Sequence, residues 1–463
     1  MREQISGSVE RPKIPDGFFE VSRDGQFLLL HPRLPRFAIL NETARFIASL
    51  CDGRRTGSDI AKAVSSHYGV ELERVEADVS STLRQLRSAG MFSDRDTSHE
   101  RSYGRVNKRV HLTITGHCNL RCKHCGAVSS LHKRDGLSTS DVKGIVDQLS
   151  TVPDGSIAIT GGEPLLRRDI VEIARYSAER IKTIISTNAT LVTEELARGL
   201  GALPVIFQVS LDGASARVHD AVRGAGAFEK ALAGIRLLQA HGAGAKVEVC
   251  RTLVGQPDDD FDALLELGER LGLGGIRFLF LARLGRAEDN FDALNPTLDS
   301  YRRFYRRFFD FLTDSDGRLP IGGGMPGLYI DVPDDEMWCH VGEMFEVDPE
   351  GKIYPCSMLN QPEFELGSIW DMTLQQAAES DKFINLHKVL AGRMETVEAC
   401  RKCPFKNYCQ GGCPGMALVD NGTLLATDAE CELRKELFEE LFFEIFPKLK
   451  SKQGLSSSEE IQI

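Results

Sequence analysis

The 463-residue sequence contains no uncharged apolar run that approaches the ~18 residues a membrane-spanning helix needs. Its first residues, Met1 to Ser8, also lack the apolar core of a secretory signal peptide. An excess of positive charge is missing as well, because 56 Lys and Arg residues face 67 Asp and Glu residues, for a net charge of −11. These absences predict a cytoplasmic protein that binds neither membranes nor nucleic acid.

Cysteine, in contrast, is abundant, with 12 residues in the chain. A reducing cytosol keeps thiols free, so disulfides explain these residues poorly and metal ligation is the leading interpretation. Most of the cysteines fall in two fields, Cys118–Cys125 and Cys339–Cys431. Cys51 and Cys250 lie outside both fields and are expected to be ordinary buried thiols.

The length of the chain exceeds what one hydrophobic core usually supports, so several domains are expected. We predict an N-terminal α/β unit over residues 1–95, a polar linker from Ser93 to Lys108 and a barrel over residues 105–315. An irregular, cysteine-rich domain follows over residues 325–450, where metal ligation replaces part of a hydrophobic core. The polar tail, residues 451–463, is expected to be disordered.

The first unit combines three short apolar runs with helix signals. Phe18–Val21, Phe27–Leu30 and Arg36–Leu40 predict strands, and Asp24-Gly25 predicts the turn between the first two. Apolar residues then recur at helical spacing, as they do between Leu72 and Leu86. The predicted order is strands first, then three helices.

Strand-like and helix-like segments alternate from the linker to about residue 282. Such alternation predicts an α/β fold with a parallel sheet, here a partial (β/α)6 TIM-type barrel. Ligands of these sheets collect at the carboxyl ends of the strands. The predicted strands are Val110–Thr115, Ser156–Thr160, Lys182–Ser186, Val205–Leu211, Lys246–Leu253 and Gly275–Leu281.

Cys118, Cys122 and Cys125 follow the first barrel strand, where a loop can present three thiolates to one iron–sulfur cluster. Three ligands on a four-iron cluster leave one iron open. This Cx3Cx2C loop resembles the signature of radical S-adenosylmethionine enzymes. The resemblance implies that the open iron binds S-adenosylmethionine, whose cleavage gives a 5′-deoxyadenosyl radical, and that the three cysteines are catalytic. A zinc loop or three buried thiols are the alternatives.

Further motifs of that family stand at successive strand ends. Thr160–Pro164 resembles the GGEP motif, whose glycines let backbone carbonyls approach the methionine amino group. Relatives also use polar strand ends for ribose and methionine, an arginine for the methionine carboxylate and an aromatic residue near adenine. Each residue taken alone fits a turn or a cap equally well. The cofactor-binding residues implied by the resemblance are Gly161, Gly162, Glu163, Pro164, Ser186, Asn188, Ser210, Asp212, Arg223 and, at the aromatic position, His124.

The second cysteine field resembles the SPASM domain, which holds two auxiliary 4Fe-4S clusters. The resemblance assigns Cys400, Cys403, Cys409 and Cys431 to one cluster, and Cys339, Cys356 and Cys413 to the other, whose fourth ligand is left open. A zinc ribbon is the alternative, but it needs two Cx2C pairs separated by roughly 15–20 residues. Ser357 stands where sulfatase-maturing relatives carry an acidic base, which argues against that activity.

The N-terminal unit resembles the peptide-binding element of ribosomal-peptide maturases over residues 14–92. The similarity includes Leu40–Ala44, Asp52–Thr56 and the helix through Val75. It implies that a leader peptide adds a strand beside Arg36–Leu40 and packs against the third helix. A winged-helix DNA-binding domain is the alternative, and the acidic composition argues against it.

These resemblances imply a maturase that modifies a ribosomally made precursor peptide. A thioether between a cysteine sulfur and carbon is the first expected product, and a carbon–carbon crosslink is the second. The implied cofactors are S-adenosylmethionine and three 4Fe-4S clusters, with a flavodoxin or ferredoxin as reductant. Maturation of a protein subunit or a tetrapyrrole cofactor is an alternative activity, and a metal-binding transcriptional regulator is the alternative outside enzymes.

Overall fold

The structure is a computed structural model, and it describes residues 11–93, 109–127, 136–314, 319–328, 341 and 344–453. Most of the predicted linker, Cys339 and the end of the predicted tail therefore lie outside the described residues.

The N-terminal unit is a three-stranded antiparallel sheet followed by three helices. The strands are β1 (Phe19–Arg23), β2 (Gln26–Leu30) and β3 (Phe37–Leu40), in that spatial order. The helices are α1 (Glu42–Ser49), α2 (Gly57–Tyr68) and α3 (Leu72–Ser88). These bounds lie close to the predicted runs, because strand alternation and helical spacing are both local signals.

The two faces of this sheet pack against different hydrophobic cores. Leu29, Ala38 and Leu40 join the core formed with the three helices. Leu28 and Leu30 instead join the main core of the protein. Side chains alternate between the two faces of a strand, so this small sheet is buried on both sides. The unit predicted as separate is thus packed against the remainder of the chain.

A mixed sheet forms the centre of the protein, with ten strands among the described residues. Six central strands are parallel and alternate with helices, as predicted for the partial barrel. The order is β10-β9-β8-β7-β6-β5-β4-β11-β12-β13. The strands are β4 (Arg109–Thr113), β5 (Ser156–Thr160), β6 (Lys182–Thr187), β7 (Val205–Ser210), β8 (Val247–Thr252), β9 (Gly275–Leu279), β10 (Ile321–Gly324), β11 (Met344–Val347), β12 (Lys352–Tyr354) and β13 (Gly367–Ser368).

The helices of this region cover one face of the sheet. They are α4 (Thr139–Ser150), α5 (Ile170–Ala178), α6 (Glu194–Leu200), α7 (Ala216–Arg223), α8 (Ala227–Ala240), α9 (Phe261–Arg270), α10 (Arg286–Asp289), α11 (Phe291–Leu294) and α12 (Leu298–Asp314). On β7, Val205, Phe207 and Val209 are buried, whereas Gln208 and Ser210 on the opposite face are half-buried. The half-buried polar face lines the interior of the partial barrel.

The C-terminal domain begins with β11, which extends the barrel sheet by pairing in parallel with β4. Its helices are α13 (Leu374–Ala378), α14 (Asp381–Ala391), α15 (Arg393–Thr396), α16 (Glu398–Arg401), α17 (Lys406–Cys409), α18 (Pro414–Asn421), α19 (Cys431–Glu440) and α20 (Phe446–Gln453), with a π-helical segment, Leu441–Ile445, between the last two. The chain stays helical to Gln453, three residues into the tail that the sequence predicts to be disordered.

The C-terminal helix packs on the N-terminal sheet. The Phe37 ring centroid lies 4.7 Å from that of Phe442 and 5.1 Å from that of Phe446. Arg23 forms an ion pair with Glu444. No helix in the described ranges is both long and apolar enough to cross a bilayer.

Candidate functional site

The loop that carries the first three cysteines leaves the carboxyl end of β4 and is fixed by backbone contacts on two sides. Lys123 donates its backbone N–H to the carbonyl of Val222 over 2.8 Å. Arg286 donates its Nε to the carbonyl of Cys122 over 2.8 Å and its backbone N–H to that of Cys125 over 3.0 Å. The thiols are thereby placed by residues from two later helices.

A side-chain amide network anchors the same loop to the end of β6. Asn188 donates to Oδ1 of Asn119 over 3.0 Å, and Asn119 donates to the Thr190 hydroxyl over 2.8 Å. The Thr190 hydroxyl also donates to Oδ1 of Asn188 over 2.6 Å. Asn188, a predicted cofactor residue, is therefore buried in a network that holds the cysteine loop in place.

An ion pair lies beneath the loop. Arg223 donates its Nε to Oδ2 of Asp212 over 2.6 Å, and its Nη1 lies 3.9 Å from Sγ of Cys122. Asp212 also accepts the backbone N–H of Thr252 over 3.0 Å. Burial alone would raise the pKa of Asp212, but the charge and hydrogen bond of Arg223, together with the backbone N–H of Thr252, outweigh it and hold the pKa well below its usual range. Both partners are therefore charged at neutral pH.

His124 lies next to this ion pair. Its Nε2 is 3.4 Å from Oδ2 of Asp212. Burial lowers the pKa of His124, so the ring is neutral at physiological pH. Its Nδ1 is buried without a hydrogen-bond partner among the described atoms. A buried nitrogen of this kind fits a site that accepts a further polar group.

The Gly161-Gly162 pair lets the second strand end pass directly against the cysteine loop. A Cβ on Gly161, where φ is +148°, would lie 2.4 Å from the carbonyl oxygen of Thr115, and one on Gly162 would lie 2.0 Å from that of His117. No side chain larger than hydrogen fits at either position. The backbone N–H of Gly162 donates to the Thr115 carbonyl over 2.8 Å.

The Glu163 side chain points into the protein core between the ends of β5 and β6, and not into the barrel interior. Its carboxylate accepts the Thr187 hydroxyl over 2.6 Å and the backbone N–H groups of Asn188 and Leu165 over 2.7 and 3.1 Å. Burial raises the pKa of Glu163, an effect that these hydrogen bonds oppose. The side chain ties the ends of β5 and β6 together, and Pro164 begins the short 3-10 turn that follows.

Two of the predicted cofactor residues are serines on barrel strands. Ser186 and Ser210 are half-buried on the face of β6 and β7 that lines the barrel interior. Ser186 stands opposite Gln208, and Ser210 stands opposite Cys250. Burial raises the pKa of Cys250 to about 12, as it does that of Cys51, which fits the predicted unreactive thiols.

Four cysteines of the second field converge. Cys400, Cys403, Cys409 and Cys431 line one cavity, although they come from α16, the following loop, α17 and the start of α19. Arg434 lies beside them, with its Nη1 3.6 Å from Sγ of Cys409 and its Nη2 2.8 Å from both oxygens of Asp428. Burial lowers the pKa of Arg434, but Cys409 and Asp428 outweigh it and raise the pKa. A charged guanidinium thus faces this thiol set.

The packing of two short elements brings Cys356 and Cys413 to one region. Cys356 precedes the 3-10 turn Ser357–Leu359, and Cys413 precedes α18. A Cβ on Gly415 would lie 2.4 Å from that of Met358, so the helix packs closely on the turn. Their predicted third partner, Cys339, lies outside the described residues.

Comparisons with known proteins match each part of this arrangement. The model of the radical SAM superfamily matches residues 112–271, and that of an iron–sulfur cluster-binding domain, SPASM, matches residues 339–404. The model of coenzyme PQQ synthesis protein D matches residues 26–91. The mycofactocin maturase MftC of Mycolicibacterium smegmatis is 33% identical over 334 residues, which cover 69% of this chain and 81% of that protein. The chain belongs to the radical SAM/SPASM maturases.

Other relatives of this radical SAM/SPASM maturase carry different names. The AdoMet-dependent heme synthase of Methanosarcina barkeri is 29% identical over 343 residues, which cover 69% of this chain and 95% of that protein. Among solved structures, anSMEcpe with bound AdoMet and a peptide has a TM-score of 0.60 at 20% identity and covers 73% of this chain and 98% of its own. SuiB of Streptococcus suis bound to its precursor peptide SuiA has a TM-score of 0.60 at 16% identity, over 91% and 99% of the two chains. Both structures share the fold.

The residues present fit the cofactors of this family, S-adenosylmethionine and 4Fe-4S clusters. The unpartnered Nδ1 of His124 and the cavity lined by four thiols are the observations that support the fit. Within the described ranges, no three His, Cys, Asp or Glu side chains approach as closely as a single metal ion requires.

Sequence reasoning missed several residues of the site. Arg286 and Asn119 hold the cysteine loop, and only the position of Asn119 inside that loop could have indicated it. His111 and Glu346 were also missed. They face each other across β4 and β11, with Nδ1 and Oε2 2.5 Å apart. Burial lowers the pKa of His111, but Glu346 outweighs it and raises the pKa.

Proposed function

We propose that this enzyme modifies a ribosomally made precursor peptide, whose leader binds the N-terminal unit and whose core segment enters the barrel. The observation that carries the proposal is the packing of a PqqD-like sheet on the C-terminal helix of a radical SAM/SPASM enzyme, with Phe37 seated between Phe442 and Phe446. MftC and SuiB, which share the family and the fold respectively, support a peptide substrate.

When bound, S-adenosylmethionine and its 4Fe-4S cluster supply a 5′-deoxyadenosyl radical that removes a hydrogen atom from the peptide. Cys118, Cys122 and Cys125 would hold that cluster. Asp212 orients Arg223. The Arg223 guanidinium places positive charge next to the cysteine loop, where it would attract the carboxylate of the methionine moiety. His124, neutral and with a free Nδ1, would contact the cofactor at the site where relatives place an aromatic ring.

The barrel interior would orient the cofactor and the peptide. Ser186 and Ser210 on its half-buried face would contact S-adenosylmethionine, as the family resemblance implies, and Gln208 on the same face offers an amide group to the peptide. Gly161 and Gly162 carry no side chains, so their backbone carbonyls could approach the cofactor, while Glu163 is held in its own hydrogen bonds.

The proposed product is a thioether between a cysteine sulfur of the peptide and a carbon atom. The thiol and the attacked carbon each lose one hydrogen, one carbon–sulfur bond forms, and one electron and one proton remain after the radical takes its hydrogen. Acceptance of that electron is the chemistry that a bound auxiliary cluster would supply. Cys400, Cys403, Cys409 and Cys431 would hold one auxiliary cluster, and Cys356 and Cys413, with Cys339, would hold the other. A carbon–carbon crosslink has the same balance and is the second proposed product.

The test first searches the neighbouring genes for a short, cysteine-containing reading frame. Its peptide is then incubated anaerobically with the reconstituted enzyme, S-adenosylmethionine and a reduced flavodoxin or ferredoxin. We expect 5′-deoxyadenosine and a peptide that has lost two hydrogen atoms. Iodoacetamide separates the two products, because a thioether blocks alkylation of the cysteine and a carbon–carbon crosslink does not. The Cys122→Ala variant should form neither product. Absence of 5′-deoxyadenosine from the parent enzyme would contradict the radical chemistry itself.

A tetrapyrrole substrate is the second candidate, because the AdoMet-dependent heme synthase of Methanosarcina barkeri is 29% identical to this chain over 343 residues. The same reaction run with an iron-containing tetrapyrrole in place of the peptide distinguishes the two candidates. Conversion of the tetrapyrrole without any change in the peptide would replace the proposed function.

A further inference from the structure

A groove of about 360 Å³ lies between the N-terminal unit and the end of the C-terminal domain. Its walls come from three parts of the chain that are distant in sequence. β3 contributes Ala38 and Ile39, α3 contributes Gln85 together with its C-cap Ala89, and α20 contributes Phe446 and Pro447. Two walls therefore belong to the N-terminal unit, and the third belongs to the C-terminal helix.

One side of the groove is a strand edge. In the three-stranded sheet, β3 lies at the outside and pairs with β2 alone among the described residues. Its outer backbone N–H and C=O groups are therefore available to an extended chain, which would add as a fourth strand. The shape and chemistry of the groove favour a peptide in extended conformation over a compact ligand.

The side chains of a strand added to β3 would alternate between two different surfaces. Ala38 and Leu40 point into the core shared with α3, whereas Phe37 and Ile39 pack against the main core on the side of α20. An added strand continues this alternation, since successive side chains point to opposite faces of a sheet. Every second residue of the peptide would therefore meet the C-terminal helix.

The C-terminal helix is firmly fixed in this position. Phe37 packs on Phe442 and Phe446, and Arg23 pairs with Glu444. The Asn407 amide donates to the carbonyls of His31 and Leu34 over 2.9 and 3.3 Å. These contacts join the N-terminal unit to the cysteine-rich domain, so the third wall of the groove is a permanent part of it.

We propose that the leader site is a composite, in which α20 supplies one wall and reads alternate residues of the leader. This inference rests on the proposed function and adds to it a specificity surface outside the PqqD-like unit. Residues 14–92 alone would then hold only two of the three walls. Leader residues two apart in sequence would be apolar where they face Phe446 and Pro447.

Photo-crosslinking in the full-length holoenzyme tests the composite site. p-Benzoylphenylalanine is placed at Pro447 on α20, at Gln85 on α3 or, as a control, at the exposed Val389 on α14. We expect the leader to crosslink from positions 447 and 85 and not from position 389. Crosslinking from position 85 alone would overturn the composite site and leave the proposed function intact. Crosslinking from neither 447 nor 85 would overturn leader binding at this groove altogether.

A substitution tests the energetic role of the wall. Pro447 is exposed, so Pro447→Glu leaves the core unchanged while placing a charge in the groove. We expect it to weaken leader binding at least about fivefold, which corresponds to loss of one modest interface contact. Modification of a leader-free core peptide at saturating concentration should match the parent enzyme, as should both activities of Val389→Glu. Equal losses with and without the leader would overturn the inference, as would unchanged leader affinity.

Discussion

Arg223 and Asp212 form a buried ion pair beneath the cysteine loop, with Nε and Oδ2 2.6 Å apart. Arg223 is the last residue of α7, and Asp212 lies two residues beyond the end of β7. The Nη1 of Arg223 faces Sγ of Cys122. One interaction therefore orients both the loop and the positive charge beside it.

Asp212→Asn should strongly impair the enzyme. The substitution leaves the Arg223 charge buried without its partner, which typically costs about 3–5 kcal/mol. We expect a lower denaturation midpoint and loss of 5′-deoxyadenosine formation. Arg198→Ala is the control, because Arg198 pairs with Glu194 on the surface and its removal should cost less than about 1 kcal/mol. Equal stability of the two variants would contradict the assigned role of the buried pair.

Gly162→Ala should prevent the first cluster from loading. The added Cβ would lie 2.0 Å from the His117 carbonyl oxygen, so the cysteine loop must move away. We expect the iron content to fall by about four atoms per chain, the content of one cluster. Gly144→Ala is a matched control, since nothing lies within 4 Å of its Cβ on the exposed face of α4. That variant should load fully and gain about 0.5–1 kcal/mol of stability.

Cys403→Ala should separate formation of 5′-deoxyadenosine from formation of the crosslinked peptide. Removing one of the four thiols that line the cavity should release about four irons and abolish crosslinked peptide. Formation of 5′-deoxyadenosine should continue, because the loop at Cys118 is untouched. Cys51→Ala, in the N-terminal core, should retain all the iron. Full iron and sulfide content together with unchanged crosslinking in Cys403→Ala would contradict the assignment of this cysteine as a ligand.

Stability should decline in mild acid through His219. Its Nδ1 accepts the backbone N–H of Asp212, and burial lowers its pKa to about 4. Because the folded-state pKa lies below that of the unfolded chain, the unfolded state gains the proton first as pH falls from 6.5 toward 4. The parent should lose roughly 1 kcal/mol of unfolding free energy between pH 7.5 and 5.5. In His219→Gln, urea titrations should show this slope removed; the same slope in both proteins would assign it to other groups.

Local sequence signals predicted much of this structure. The six barrel strands lie within two residues of their predicted bounds. Strand periodicity is a property of short segments, so the sequence displays it directly. The grouping of Cys400, Cys403, Cys409 and Cys431 came instead from the family resemblance; the four residues line one cavity, and their binding of a common cluster stays a prediction.

The rest of the structure depends on contacts between segments that are far apart in the sequence. Such contacts produce no periodic pattern in the sequence. Arg286 reaches the carbonyl of Cys122 across 164 residues, and Asn407 reaches that of His31 across 376. Glu163 lies within the predicted motif, yet its side chain turns to Thr187 because the buried end of β6 offers two donors. Only the folded structure shows which of these groups lie in the proposed cofactor site and which hold strands and loops together.

The pairing of β11 with β4 has a consequence for electron flow. β4 leads into Cys118, and the hairpin begun by β11 leads through β12 to Cys356, so the two segments that we propose to bind clusters start from neighbouring strands of one sheet. If both segments bind clusters, the backbone hydrogen bonds of this sheet and the contacts of Glu346 with His111 and Thr113 would keep the distance between the two clusters constant, and a constant distance would give a constant rate of electron transfer.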